Sequence, residues 1–315
     1  MKIATILTVF NRKQKTISCL QHLFQAQKAY NQAVEEPTKQ LELTVFLTDD
    51  GCTDGTAEAV RSLFADHQVI IVQGTGNLYW AGGMRKAWQA AIDNGTHWDY
   101  FLLLNDDTNV HENVFPQLFE TIERGFQLTE KQGLASGITC QPGDPQQITY
   151  GGYVFVTKAK GRFVPVLPNG EPQHIDLAHA NILLVHHSVV DSIGIFYKGF
   201  LHRGADWDYG MQAHSKGFPT LATPHVCGEC ECDHYSPKDE INMLRKMSLK
   251  ERIAYVNSPI HTNHDYLLYV WRNLPLRFPL AALARTTRVY LPSLYYHITN
   301  LRGIYKDIRK KGIKT

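Results

Sequence analysis

Short apolar runs alternate with longer stretches of helical spacing through the first half of the chain. KIATILTVF, LELTVFLTD, QVIIVQG and YFLLLN are brief, rich in β-branched and aliphatic residues, and bounded by polar turns, which predicts strands. The intervening stretches repeat their apolar residues at helical spacing and predict helices over residues 13–30, 54–64, 82–93 and 112–124. Such repeated strand–helix alternation implies a parallel sheet with right-handed crossovers, hence an α/β fold. Gly95 follows the third helix as its expected C-terminal cap. Residues 141–174 are rich in Gly, Pro and Gln and break the rhythm, so an excursion is expected there before the second half begins.

Open parallel sheets bind ligands beyond the carboxyl ends of their strands. The loops that must converge there read FNRKQ, DDGCTDGT, GTGNLYWAGG and NDDTN. FNRKQ contains no glycine, so the dinucleotide fingerprint is absent, and no Walker loop occurs anywhere. Phosphates, if bound, are therefore expected to be held through a divalent cation. Asp106 and Asp107 at the mouth of an apolar strand supply hard oxygen ligands suited to Mg²⁺ or Mn²⁺. Helix N-capping is the competing use of an Asp-rich loop in that position.

With 315 residues and 43% hydrophobic content, the chain is long enough for one large or two ordinary domains. No apolar run approaches the roughly 18 residues of a spanning helix, and MKIATILTVFNRK suits a first strand better than a secretory leader. A cytoplasmic location follows as an expectation. Six unevenly spaced cysteines read as thiols and not as a disulfide framework. HVCGECECDH brings Cys227, Cys230, Cys232, His225 and His234 within one short segment. A structural zinc is one reading; a strand ending in a site loop, with thiols packed as small hydrophobes, is the other.

Several of these segments, in order, are similar to elements of the bacterial family 2 glycosyltransferases with a GT-A fold, which build cell-surface polysaccharides. TVFNR resembles the family's opening V-x-x-Y-N-R, and LTDDGCTDGT resembles its V-D-D-G-S-x-D-G-T. LLLNDDT lies where its D-x-D-type motif belongs, and GNLYWAGGMRKAW resembles a segment of the rhamnosyl- and galactosyltransferase-like branch. RGADWDYGMQAHSKGF resembles the element carrying the catalytic base, with Gln212 in place of the family's arginine. LAHANILL resembles G-N-x-x-L with Ala180 in place of the glycine.

The resemblance implies an inverting, metal-dependent transferase using a UDP- or dTDP-sugar. It assigns Asp206 as the catalytic base, with Asp208 and Asn181 on the acceptor side. It assigns Asn11, Asp49, Asp50, Asn77, Trp80, Gly83 and Asp106 to the donor, with Asp50 reading the base and Asp49 shaping its loop. Asp107 is the implied metal ligand, joined by His234. The expected organisation is a transferase domain over 1–270, with a donor half over 1–125 and an acceptor half over 126–270, followed by a basic extension over 271–315. A sugar-binding module without catalysis, or a metal-dependent phosphoryl-transfer protein, would arrange similar carboxylates.

Residues 239–253 read as one charged amphipathic helix, and Tyr266, Tyr269 and Trp271 as core at helical spacing. The net charge of +2 conceals an asymmetry: residues 272–314 contain ten Lys or Arg and the single acid Asp307. Cations interleaved there with Leu, Tyr and Phe suit an interfacial helix on an anionic membrane surface better than nucleic acid. Peripheral attachment at the inner face would bring the enzyme to a lipid-linked glycan acceptor.

Overall fold

The structure, a computed structural model, describes residues 1–232, 237–261 and 263–298. They divide into two compact units, Met1–Cys232 and the described residues beyond it.

In the first unit β1 (Lys2–Val9), β2 (Glu42–Asp49), β3 (Val69–Gln73) and β4 (Tyr100–Leu104) run parallel in the order β3-β2-β1-β4. β1 and β4 are buried along most of their length, which is why they read as nearly continuous apolar runs. Each fully buried Leu or Ile there contributes about 1.5–3 kcal/mol. The crossovers are α1 (Lys13–Ala33), α2 (Thr56–Leu63) and α3 (Tyr79–Asp93), while the short β5 (Asn109–Val110) leads into α4 (Val114–Thr129). Gly95 sits just past α3 at φ +77°, the left-handed conformation expected of its cap.

Two helix starts are set from outside the helix. The Lys13 backbone N–H donates to Asp54 Oδ2 at 3.0 Å, capping α1 from the neighbouring loop. α3 begins at Tyr79 and not at Gly82, because Asp50 Oδ2 accepts the N–H groups of Leu78 (2.8 Å) and Tyr79 (3.1 Å). Neither helix draws a cap from its own N-terminal side chain.

The second half adds β6 (Leu134–Gln141), β7 (Asp144–Tyr150), β8 (Gly152–Thr157), β9 (Arg162–Pro165), β10 (Gln173–His174), β11 (Leu177–Ala178) and β12 (Ile182–His186). α5 (His187–Ile193), α6 (Ala205–Ser215) and β13 (Thr220–Glu229) complete it. β12 runs antiparallel between β4 and β6, and β13 lies parallel to β6. The main sheet therefore reads β10-β13-β6-β12-β4-β1-β2-β3, with β5 on β13 and β7 on β6. The expected excursion is real: it holds the β6–β7 hairpin and most of a separate sheet ordered β11-β8-β9. Gly210 lets α6 close on that sheet, since a Cβ there would stand only 3.3 Å from Ala178 Cβ.

The second unit contains α7 (Pro237–Lys246), α8 (Leu249–Asn257), α9 (Asn263–Asn273) and α10 (Phe278–Tyr290). The single helix expected over 239–253 is two, because Ser248 and Glu251 form a reciprocal capping box that starts α8 afresh. A 2.7 Å ion pair between Arg288 and Glu240 ties α10 to α7, and Arg285 lies over the Tyr266 ring at 4.0 Å. Tyr269 is in the core as expected, but Trp271 is 58% exposed. The helical turn carries Tyr269 and Val270 inward and rotates Trp271 outward, edge-on to Phe278. Among the described residues no helix is long and apolar enough to cross a membrane.

Candidate active site

The loops after β1 and β2 are stitched together by short polar contacts. Asn11, at φ +52°, accepts the Thr53 N–H on Oδ1 at 2.7 Å and donates its own N–H to Cys52 Sγ. Asp49 turns its carboxylate inward to accept the Cys52 N–H at 2.8 Å, the closing bond of a side-chain turn. Asp50 is 4% exposed and accepts four backbone N–H groups: Thr75 and Gly76 on Oδ1, Leu78 and Tyr79 on Oδ2. A carboxylate has about four acceptor positions, so this one is saturated by the loop it frames. Gly74 is required beside it, because a Cβ there would stand 2.6 Å from Asp50 Oδ1.

The remaining residues expected on the donor side divide. Asn77 is exposed on that framed loop. Trp80 is half-buried, donating Nε1–H to Asn105 Oδ1 at 2.8 Å. Gly83 instead faces the sheet: it is buried, its carbonyl accepts the Thr48 hydroxyl, and a Cβ would stand 2.0 Å from Thr8 Oγ1. Its role is close helix–strand packing and not contact with a ligand.

Asp106 and Asp107 meet a partner that the motif reading did not assign. One guanidinium nitrogen of Arg12, Nη1, bonds Asp107 Oδ2 at 2.7 Å and Asp106 Oδ1 at 3.2 Å. The signal was present in TVFNR, where a cation directly after β1 must face the loop after the adjacent β4. Burial, reinforced by the neighbouring Asp107, pushes the Asp106 carboxyl up to about 7 against the pull of Arg12. Asp106 Oδ2 is buried without a hydrogen-bond partner. That orphaned hard oxygen beside a second carboxylate is the donor chemistry a divalent cation needs. Among the described residues no group of three or more His, Cys, Asp or Glu could hold a metal ion. Two carboxylates with diphosphate and water completing the shell is, however, the usual way Mg²⁺ is bound. His234 lies outside the described residues.

A chain of contacts joins this pair to the expected base. Asp206, half-buried in the first turn of α6, accepts the Trp207 N–H on Oδ1 (2.9 Å) and the Ala180 N–H on Oδ2 (3.3 Å). The next residue, Asn181, donates Nδ2–H to Cys230 Sγ at 3.4 Å, and the Cys230 thiol donates to Asp107 Oδ1 at 3.7 Å. Asn181 also accepts the Asn105 N–H through its carbonyl. Burial pushes the Asp206 carboxyl up to about 6 against the pull of the backbone N–H groups of Trp207, Ala180 and Asp206 itself. Asp208 is 2% exposed, well covered where Asp206 is not.

The cysteines serve separately. Cys227 is buried and donates to Thr223 Oγ1, Cys230 just past β13 donates to Asp107, and Cys232 is exposed. Burial pushes the Cys227 and Cys230 thiols up to about 12, keeping both protonated. Packing as small hydrophobes, with one thiol inside the site, describes them.

A mostly parallel sheet of this order flanked by helices is the GT-A fold, and comparison with known proteins agrees. Residues 5–129 match the family model described as Glycosyl transferase family 2. No curated protein matches the chain. The crystal structure of S. aureus TarS 1–349 in complex with UDP-GlcNAc is similar at a TM-score of 0.52 and 14% identity, covering 94% of this chain and 78% of that one. GalNAc-T7 with UDP, GalNAc and Mn²⁺ is similar at 0.55 and 12% identity, covering 97% and 54%. At such identities the likeness is one of fold.

Proposed function

We propose that the protein is an inverting glycosyltransferase that moves a sugar from a nucleotide diphosphate to a glycan acceptor. The observation that carries this reading is the continuous link Asp206–Ala180–Asn181–Cys230–Asp107, which ties a half-buried carboxylate of raised pKa to a carboxylate pair suited to a cation. The family match over 5–129 and a similar fold solved with UDP-GlcNAc support a UDP- or dTDP-sugar as donor.

Asp107 would hold Mg²⁺ or Mn²⁺ with Asp106 in support, and the cation would offset charge on the departing diphosphate. Arg12 supplies a second positive charge at the same place. Asp206 removes the proton from an acceptor hydroxyl as that oxygen attacks the anomeric carbon, and the bond from that carbon to the diphosphate breaks on the opposite face. The proton rests on Asp206, and the nucleoside diphosphate leaves. Asp208 and Asn181 hold the acceptor side in shape, and Asn77 and Trp80 border the donor. Membership of the rhamnosyl- and galactosyltransferase-like branch, a lipid-linked acceptor and attachment to an anionic membrane complete the proposal.

The test is a screen of UDP- and dTDP-sugars for turnover with Mn²⁺, with and without chelator. Asp206→Asn should leave calorimetric donor binding close to unchanged while transfer falls about 10²- to 10⁴-fold. Because the base must be ionised, the wild-type rate should rise with pH through about 6 and then level. Full activity in Asp206→Asn, or turnover indifferent to chelator, would overturn the assignment.

A further inference from the structure

One face of the sheet β11-β8-β9 meets α6 beside Asp206. Tyr153, Phe163 and Trp207 form an aromatic trio with centroids 4.8, 5.3 and 5.8 Å apart, and both pairs involving Trp207 are edge-on. His179 backs the trio 4.9 Å from Tyr153, its Nδ1 accepting the Gly151 N–H. Pairing of Phe155 with Phe163 across the hairpin puts Tyr153, Phe155 and Phe163 on one face. Asp176 braces that face through the Phe155 N–H at 2.7 Å.

These rings are not core. Phe163 is 39% exposed, and Tyr153 and Trp207 are half-buried. Aromatic surface left in solvent next to a candidate catalytic carboxylate is suited to the C–H face of a sugar ring. The hairpin then turns through exposed Lys158, Lys160 and Arg162, and no acid occurs between Asp144 and Glu171. Lys158 and Lys160 lie in the short helical turn before β9, and Arg162 opens β9 immediately before Phe163, so the cations are close in sequence to the exposed ring.

We propose that this face is an acceptor subsite for an anionic glycan, stacking one sugar ring on Phe163 and Trp207 while the tip cations meet phosphate or carboxylate groups farther along. The inference rests on Asp206 being the base, since the stacked ring would bring its neighbour's hydroxyl to that carboxylate. A lipid surface fits less well, because burying the trio in it would also desolvate Asp206.

The experiment places the full chain on a printed array of neutral, uronate-bearing and phosphate-bearing oligosaccharides at low and high salt. Wild type should be retained on the anionic glycans and released by salt. The uronate and phosphate arms distinguish the two sources of charge. Phe163→Ala should weaken retention about tenfold and Phe163→Tyr restore it, with thermal unfolding checking that both variants fold. Undiminished retention of Phe163→Ala, equal or stronger retention of neutral sugars, or no glycan retained by wild type would overturn the proposal. So would a Phe163→Ala defect seen only on anionic vesicles. The wild-type donor screen is read separately: turnover there with no array effect overturns this subsite alone, and its absence overturns the enzyme reading.

Discussion

Asp50 is the residue on which most of the backbone between β3 and α3 depends. Its two oxygens gather the N–H groups of Thr75, Gly76, Leu78 and Tyr79, and the last two are the orphaned donors at the start of α3. Leaving a buried donor unsatisfied costs about 1–3 kcal/mol, and water entering the gap would recover part of it. Asp50→Ala should therefore destabilise the protein by about 2–4 kcal/mol in chemical denaturation. Asp50→Asn keeps one acceptor oxygen but turns an amide donor on the other pair, so it should retain only part of that stability. A loss below about 0.5 kcal/mol for Asp50→Ala would show that the loop is held by other means. Arg12 makes the complementary point, since a single guanidinium nitrogen sits where two carboxylates would otherwise repel.

At the scale of elements, the site is positioned by how closely α3 lies against β1 and β2. Gly83 permits that approach, and the Thr48 hydroxyl fastens its carbonyl at 2.9 Å. Gly83→Ala would bring a methyl to within 2.0 Å of Thr8 Oγ1 and 2.7 Å of Thr8 Cβ, the latter close to the backbone and unable to swing away. Relief requires α3 to shift, at a cost of about 1–3 kcal/mol. The expected result is a lower thermal midpoint together with weaker UDP binding, because Tyr79 and Trp80 move with the helix. Unchanged melting would mean that the strand gives way instead. α3 and α1 share a second property: both are capped by carboxylates from the loop after β2, so that loop aligns two helices at once.

For the whole molecule, charge and apolar exposure concentrate toward the C-terminal end. α10 and the turn before it expose Leu276 (96%), Leu280 (69%) and Leu283 (63%) in a stretch whose charged residues are all cations. Interfacial binding combines apolar insertion with about 1 kcal/mol for each cation near anionic lipid, screened by salt. Leu280→Glu should release the protein from anionic vesicles and leave the thermal midpoint within a degree or two, because the side chain is largely in solvent. Removing α10 outright is a poorer test, since Arg288 and Val289 are buried and Arg288 pairs with Glu240. Equal vesicle binding by wild type and Leu280→Glu would dispose of the membrane surface.

Local sequence determined the elements whose signals are themselves local. Alternating apolar runs marked β1 to β4, Gly95 marked the end of α3, and adjacent acids after an apolar strand marked a carboxylate pair at its mouth. What only the tertiary structure decided were contacts made across the chain. The start of α3 depends on Asp50, and the burial of Gly83 depends on Thr8. The place of Arg12 between two carboxylates depends on β1 and β4 being neighbours. The division of 239–253 into two helices was legible in principle, since Ser248 and Glu251 form a sequence-level cap, but the charged periodicity on either side concealed it. The aromatic trio beside Asp206 draws on β8, β9 and α6, residues 153, 163 and 207, and no window along the chain contains all three. Periodicity reports which face of an element is apolar; which other element covers that face, and which carboxylate a donor finds there, is settled only when the sheet order brings them together.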